Sequence, residues 1–388
     1  MPSLDTMNAP GGKLRRKWRA CVGAGEAADG LRADWQNQFS MAARNCAFER
    51  ARISGWNRLD ARSTREIDAL CDFLADLNVS PVARLDAPDA CDNLDSFARH
   101  IIARYGVKRA RAWRFEIPQN SRYSKHAQSL KRMDSGLCAG ALITAGPPRR
   151  LIGERGGLAS ALSSCAASGS KPDFIVISGV PENASRVGQE IGELDTGIPV
   201  HWDAVCEAHS PKNGLSDAIA LARRYLSGER PLDSLDSMAL ASFSGLCGAG
   251  AYLIDGWGVQ QPAAHAYRMM DALGDELASR GPNWILTRDM LGRMSALAWY
   301  EPGAPGSVAF EGMRPYSRVM IETLDRDNGW AYTVWLKMGM PESLSRRQVQ
   351  ALRQAAQNTR VSWSRTDEDG RFTFETPASE SIALVKEQ

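Results

Sequence analysis

Cys206 and His209 stand three positions apart, a spacing at which a thiol and an imidazole can act as nucleophile and base. No third group that would orient the imidazole is evident, so ordinary packing is the favoured role for this thiol. The other cysteines, Cys21, Cys46, Cys71, Cys91, Cys138, Cys165 and Cys247, fall in small or apolar surroundings. None of the eight makes a C-x-x-C pair or joins a histidine cluster. That points to reduced fillers rather than to disulfides or a metal site. Gly23-Ala-Gly25 lacks the third glycine and the following acid of a dinucleotide loop, so no cofactor is expected there. Arg84, with Arg52 and Arg114, could build a pocket for a phosphate or carboxylate. Pairing of Arg84 with Asp86 or Asp89 is the simpler expectation.

These residues sit in a chain whose pattern alternates. Arg19–Val22, Arg50–Ile53, Ser80–Leu85, Ala112–Ile117, Gly140–Ile143, Phe174–Ile177, Pro199–Trp202 and Met238–Phe243 read as short strands. Helical stretches lie between them, at Arg62–Asp76, Leu94–Tyr105, Leu158–Ala167 and Leu215–Ser227. Leu94, Phe97, Ile101 and Tyr105 repeat at three and four residues and give one apolar face. Eight such alternations predict a (β/α)8 barrel over residues 17–273. From about Gly274 the runs become aromatic and β-branched: Trp284–Thr287, Ser295–Tyr300, Arg318–Thr323, Tyr332–Lys337, Thr359–Arg365 and Phe372–Thr376. They predict a β-sandwich over 274–388. One helix, Ser345–Gln357, interrupts it, with Ser345 and Gln348 spaced as a capping box. Residues 1–16 are expected to be a disordered N-terminus.

The 388 residues carry 47 basic and 45 acidic side chains, a balance that gives no general pull toward nucleic acid or membrane. No apolar run is long enough to span a bilayer, and the basic segment at Lys13 to Lys17 has no apolar stretch behind it. A cytoplasmic protein is the expectation.

Several segments, in colinear order, resemble a known family. They are Trp18-Arg-Ala-Cys-Val-Gly-Ala-Gly with Leu31-Arg-Ala-Asp-Trp-Gln, Ile67-Asp-Ala-Leu-Cys-Asp-Phe-Leu ahead of Ser80-Pro-Val-Ala, and Phe97-Ala-Arg-His-Ile-Ile-Ala-Arg-Tyr-Gly leading into Trp113-Arg-Phe-Glu-Ile. Asp173-Phe-Ile, Pro199-Val-His, Asp236-Ser-Met-Ala-Leu and Gln261-Pro-Ala-Ala-His-Ala-Tyr-Arg-Met-Met follow. Together they resemble the β-xylosidase-like glycoside hydrolase family 39 over roughly residues 17–388.

The resemblance implies a retaining glycosidase, which needs two carboxyl groups about 5 Å apart, one an acid/base and one a nucleophile. Where the family reads W-x-F-E-x-W-N-E-P, this chain has Trp113-Arg-Phe-Glu-Ile-Pro-Gln-Asn, which puts Asn120 at the acid/base position. Where the family has H-x-T-E-W, the chain has His201-Trp-Asp-Ala, which puts Ala204 at the nucleophile position. Other positions that ring the sugar in the family read Ser54-Gly55, Arg84, Ser178-Gly-Val180-Pro181, Ala241 and Gly245. The resemblance therefore implies a degenerate member, a pseudo-glycosidase acting as a binding or scaffold protein linked to polysaccharide metabolism. Its partner, carbohydrate or protein, is not named by the sequence. An active hydrolase on β-xylosides is the alternative, with Glu116 and Glu207 as relocated carboxylates beside Asp203; a small-anion binder at the barrel mouth is a further one. Trp56, Trp202 and Trp257 could stack on sugar rings, although packing is the commoner role for a tryptophan in a barrel.

Overall fold

The computed structural model describes residues 12–56, 64–85, 93–118, 123–144, 170–178, 198–203, 214–226, 237–239, 242–244, 252–301, 307–375 and 379–388. The chain divides into two compact units. One contains Lys17–Ser210 and Glu229–Gly250; the other contains Met1–Arg16, Pro211–Gly228 and Ala251–Gln388.

The first unit is built on parallel strands that pair in sequence order: β1 (Val22–Glu26), β2 (Arg50–Ser54), β3 (Ser80–Arg84), β4 (Arg114–Pro118), β5 (Cys138–Thr144), β6 (Phe174–Ser178), β7 (Val200–Asp203) and β8 (Ser237–Ala239). A further short strand, β9 (Ser242–Ser244), pairs in parallel with β1 through Ser242 and Gly23. Only Leu240 and Ala241 separate β8 from β9, so one stretch of chain pairs with the last strand of the run and with the first. Each of the eight strands anticipated for this unit has a counterpart, with the last seen as two short strands and the first displaced: Lys17–Arg19 is a 3-10 turn and the strand begins at Val22.

Helices cover one face of this sheet: α1 (Ala33–Cys46), α2 (Thr64–Asp76), α3 (Leu94–Tyr105) and α4 (Tyr123–Met133). Trp35 of α1 stacks on Phe39 with ring centres 4.9 Å apart and donates its indole N–H to the Ala24 carbonyl at 3.2 Å. Side chains alternate across each strand. Phe115 packs against Phe97 of α3, so it faces the helices; its neighbours Arg114 and Glu116 belong to the other, inner face. Because β5 and β6 pair in register, Gly140 lies beside Phe174, and a Cβ at position 140 would sit 2.2 Å from the Phe174 ring. Glycine there makes room for an aromatic ring on the inner face.

In the second unit a short strand, Gly12–Lys13, begins an antiparallel sheet. It continues through β10 (Glu276–Gly281), β11 (Trp284–Arg288), β12 (Met294–Tyr300), β17 (Ser381–Glu387), β14 (Arg318–Leu324) and β15 (Arg360–Arg365). A two-stranded sheet of β13 (Ser307–Phe310) and β16 (Phe372–Glu375) packs on it. Trp284, Leu286, Tyr300 and Val319 of the large sheet share one core with Phe310, Phe372 and Phe374 of the small one. Helices α5 (Leu215–Leu226) and α6 (Pro262–Asp271) belong to this unit and meet at a buried Tyr225–Tyr267 hydroxyl pair, 3.0 Å apart.

Two expectations change here. Within the segment expected to be disordered, Gly12 and Lys13 pair with Leu277 and Glu276, and Arg16 donates to the carbonyls of Asp271 and Leu273. The run Tyr332–Lys337 is not a strand but a helix, α7. Val334, Trp335 and Met338 sit at helical spacing and pack on Leu352 and Ala356 of α8 (Arg346–Gln357). Gly339, at a φ of +82°, ends the turn. The capping box on α8 forms as anticipated: Gln348 N–H donates to Ser345 Oγ, and Ser345 N–H donates to the Gln348 side chain. Among the described residues no helix is long and apolar enough to cross a membrane.

Candidate active site

Sites on parallel α/β sheets form at the C-terminal ends of the strands, where the loops converge. Here β1 to β7 finish on Glu26, Ser54, Arg84, Pro118, Thr144, Ser178 and Asp203, a rim that is polar except for the proline. Asn120 follows two positions after the end of β4, and Ala204 follows directly after β7. Both lie outside the described residues, as do Glu207, Cys206 and His209. Among the described residues no group of three or more acids, histidines or cysteines is arranged to hold a metal.

Glu116 is on the inner face of β4, buried, with Arg52 Nε donating to its Oε2 at 2.7 Å. Both side chains are almost fully removed from solvent. A carboxylate in that position is committed to balancing a buried guanidinium, since either charge alone would be costly in the interior. It is poorly suited to move toward a sugar.

Of the three arginines grouped from sequence, Arg52 and Arg84 both neighbour Glu116, whereas Arg114 lies further from the rim. Arg84 ends β3 and pairs in register with Glu116, whereas Arg114 opens β4 and pairs with Val82. The two arginine positions are thus offset by two residues, about 7 Å of strand, with Arg52 level with Arg114 but occupied by Glu116. Parallel register, which the sequence does not fix, causes the separation.

Trp56 follows β2 and is only 5% exposed. Its indole N–H donates to the Ile53 carbonyl at 2.9 Å, and its ring packs against Phe97 and Trp113 at 5.3 and 5.6 Å. It is a packing ring. Trp202 lies within β7, with its side chain outside the described set. Trp257, 47% exposed, belongs to the second unit. The cysteines that are described, Cys21, Cys46, Cys71 and Cys138, are free thiols; burial pushes the Cys71 thiol well above its ordinary range.

One carboxylate at the rim escaped the sequence reading. Glu26 is half-buried at the end of β1, and a Cβ on Gly55 would lie 3.7 Å from Glu26 Cδ. The signal was available: the apolar run from Val22 continues through Ala24 and ends on an acid.

Comparison with known proteins agrees with this geometry. The sequence model described as Glycosyl hydrolases family 39 matches residues 4–92. A curated relative, the "Beta-xylosidase" of Caldicellulosiruptor saccharolyticus, is 22% identical, with 91% of this chain and 91% of that protein covered. Among solved structures, the GH39 enzyme from Xanthomonas axonopodis pv. citri superposes with a TM-score of 0.77 at 17% identity, covering 100% of this chain and 99% of that one. A GH39 β-xylosidase from Caulobacter crescentus gives a TM-score of 0.77 at 19% identity over 99% and 98% of the two chains. The N-terminal sequence match, the near-complete alignment to a curated β-xylosidase and the shared fold all make this chain similar to members of glycoside hydrolase family 39.

Proposed function

We propose that this protein is a pseudo-glycosidase. It keeps a (β/α)8 barrel followed by a β-sandwich, and has exchanged hydrolysis of β-xylosides for a binding or scaffold role connected with polysaccharide metabolism. What carries the reading is the resemblance, which puts Asn120 and Ala204 where the family has its acid/base and its nucleophile. An amide cannot protonate a leaving oxygen, and a methyl group cannot attack an anomeric carbon. The engagement of Glu116 with Arg52 supports the reading, because it removes one candidate replacement acid.

Glu26 favours a second reading, a working hydrolase whose carboxylates have moved to Glu26 and Glu207. Hydrolysis of an aryl β-xyloside separates the two. The pseudo-glycosidase gives no turnover above that of Glu26→Gln and Glu207→Gln variants. Turnover in the wild type that either substitution abolishes would establish the hydrolase instead.

A further inference from the structure

A second group of side chains, two of them arginines, lies on the inner face at the opposite, N-terminal ends of the strands. Arg50 opens β2, Arg114 opens β4, Phe174 opens β6, and His201 is the second residue of β7. Arg114 precedes the last residue of β4 by four positions, about 13 Å of strand, so this group is well separated from the rim where a sugar site would be.

The group is built. Arg114 Nη1 lies 3.0 Å from Nε2 and 3.1 Å from Nδ1 of His201. Its guanidinium sits 5.4 Å from the centre of the Phe174 ring, and His201 stands edge-on to that ring at 5.1 Å. Burial, with Arg114 and Arg50 nearby, pushes the imidazole down to about 3, so His201 is neutral and accepts from Arg114 rather than opposing it as a cation. Arg50 is close enough to Arg114 to depress its ionisation as well, after burial itself. The remaining titratable groups acting on Arg114 are the thiols of Cys21 and Cys138 and the carboxylate of Glu116, which Arg52 already holds.

Among the described residues no carboxylate pairs with Arg114. Arg50 reaches only Glu49, an exposed side chain, at 3.4 Å, and its own Nε is buried without a hydrogen-bond partner. Two guanidinium groups are therefore held near each other and partly desolvated, Arg114 with no paired carboxylate among the described residues and Arg50 with only the exposed Glu49. An oxyanion would relieve their repulsion and accept from the open N–H groups, in the forked geometry that suits arginine. We propose that Arg50 and Arg114 form a binding site for a small oxyanion of the phosphate class at the N-terminal end of the barrel strands, positioned by His201 and floored by Phe174.

The test uses the full chain at low ionic strength, with inorganic phosphate and glycerol phosphate as probes. Thermal unfolding and titration calorimetry are followed in the wild type and in Arg50→Gln, Arg114→Gln and Arg84→Gln. Inorganic phosphate should raise the wild-type Tm in step with the logarithm of its concentration. Arg50→Gln and Arg114→Gln should each weaken binding about tenfold or more, the loss of one charge-assisted contact, while Arg84→Gln at the other end leaves it intact. Without phosphate, Arg114→Gln should unfold no earlier than the wild type, because a repulsion has been removed; a merely structural arginine would lower Tm in both buffers alike. If Arg114→Gln does not fold, the half-buried Arg50 carries the test through Arg50→Gln. Binding of inorganic phosphate alone marks a free-anion site, and binding of both probes marks a site for a phosphate group on a larger molecule. No phosphate response in the wild type, or one that survives both arginine substitutions or is lost in Arg84→Gln, overturns the proposal.

Discussion

The Arg52–Glu116 pair shows how a side chain that looks reactive in a sequence becomes structural in a fold. Each partner neutralises the other inside the sheet, so removing one leaves an uncompensated buried charge. Glu116→Leu should lower the unfolding free energy by about 3–5 kcal/mol in urea denaturation, and adding Arg52→Met should return most of it. A double variant as unstable as the single would mean that something other than the charge pair accounts for the loss. His201 makes a second prediction at this scale. Its imidazole takes up a proton near pH 6.5 in the unfolded chain but only near 3 in the folded one. The unfolded state therefore binds more protons between these values, and stability should fall as pH drops from about 6.5 toward 3. His265, buried and depressed in the same direction, adds a slope of the same sign. Urea midpoints measured across that range should fall less steeply in His201→Gln than in the wild type; identical slopes would rule out His201 as a source.

At the scale of elements, packing follows from register. Gly140 and Phe174 are partners across β5 and β6, and the ring occupies the space a side chain at 140 would need. Gly140→Ala should cost about 1–3 kcal/mol, the usual penalty for overpacking, and Phe174→Leu in that background should recover part of it. Equal Tm values for wild type and Gly140→Ala would mean the ring moves aside freely. The helix α8 was legible because its signals are local: Ser345 and Gln348 cap the first turn through contacts three residues apart. The helix α7 was not, because Tyr332, Thr333, Val334 and Trp335 carry β-forming side chains, and only contact with Leu352 and Ala356 makes a helical face the better burial. The strand β10 was missed for the converse reason. Its residues Glu276–Gly281 are largely polar, and pairing with β11 rather than composition makes them a strand.

For the molecule as a whole, the proposed loss of catalysis involves more positions than the two at which the family resemblance expects the catalytic glutamates. Ser54, Gly55, Arg84, Ser178 and Ala241 stand where the family's sugar-ringing residues are expected. Restoring the two glutamates by Asn120→Glu with Ala204→Glu should therefore leave hydrolysis of an aryl β-xyloside at background. Acid and nucleophile act only when the sugar is held within about 1 Å of its productive position. Recovery of turnover in the double variant would mean that the rim still binds xylosides and that only the chemistry was lost.

The sequence by itself determined the alternation of short strands with amphipathic helices, the change of texture near Gly274 and the family that the chain resembles. These depend on local periodicity and on motifs kept in order, both of which are written along the chain. It also determined the absence of glutamate at positions 120 and 204, since that is a matter of residue identity. Only the tertiary structure decided that Glu116 answers Arg52, that Arg114 meets His201 and Phe174 instead of Arg84, and that Trp56 is a packing ring. Those outcomes rest on strand register and on which side of the sheet each residue faces. A shift of one residue in register would reverse every one of them while leaving the sequence pattern unchanged.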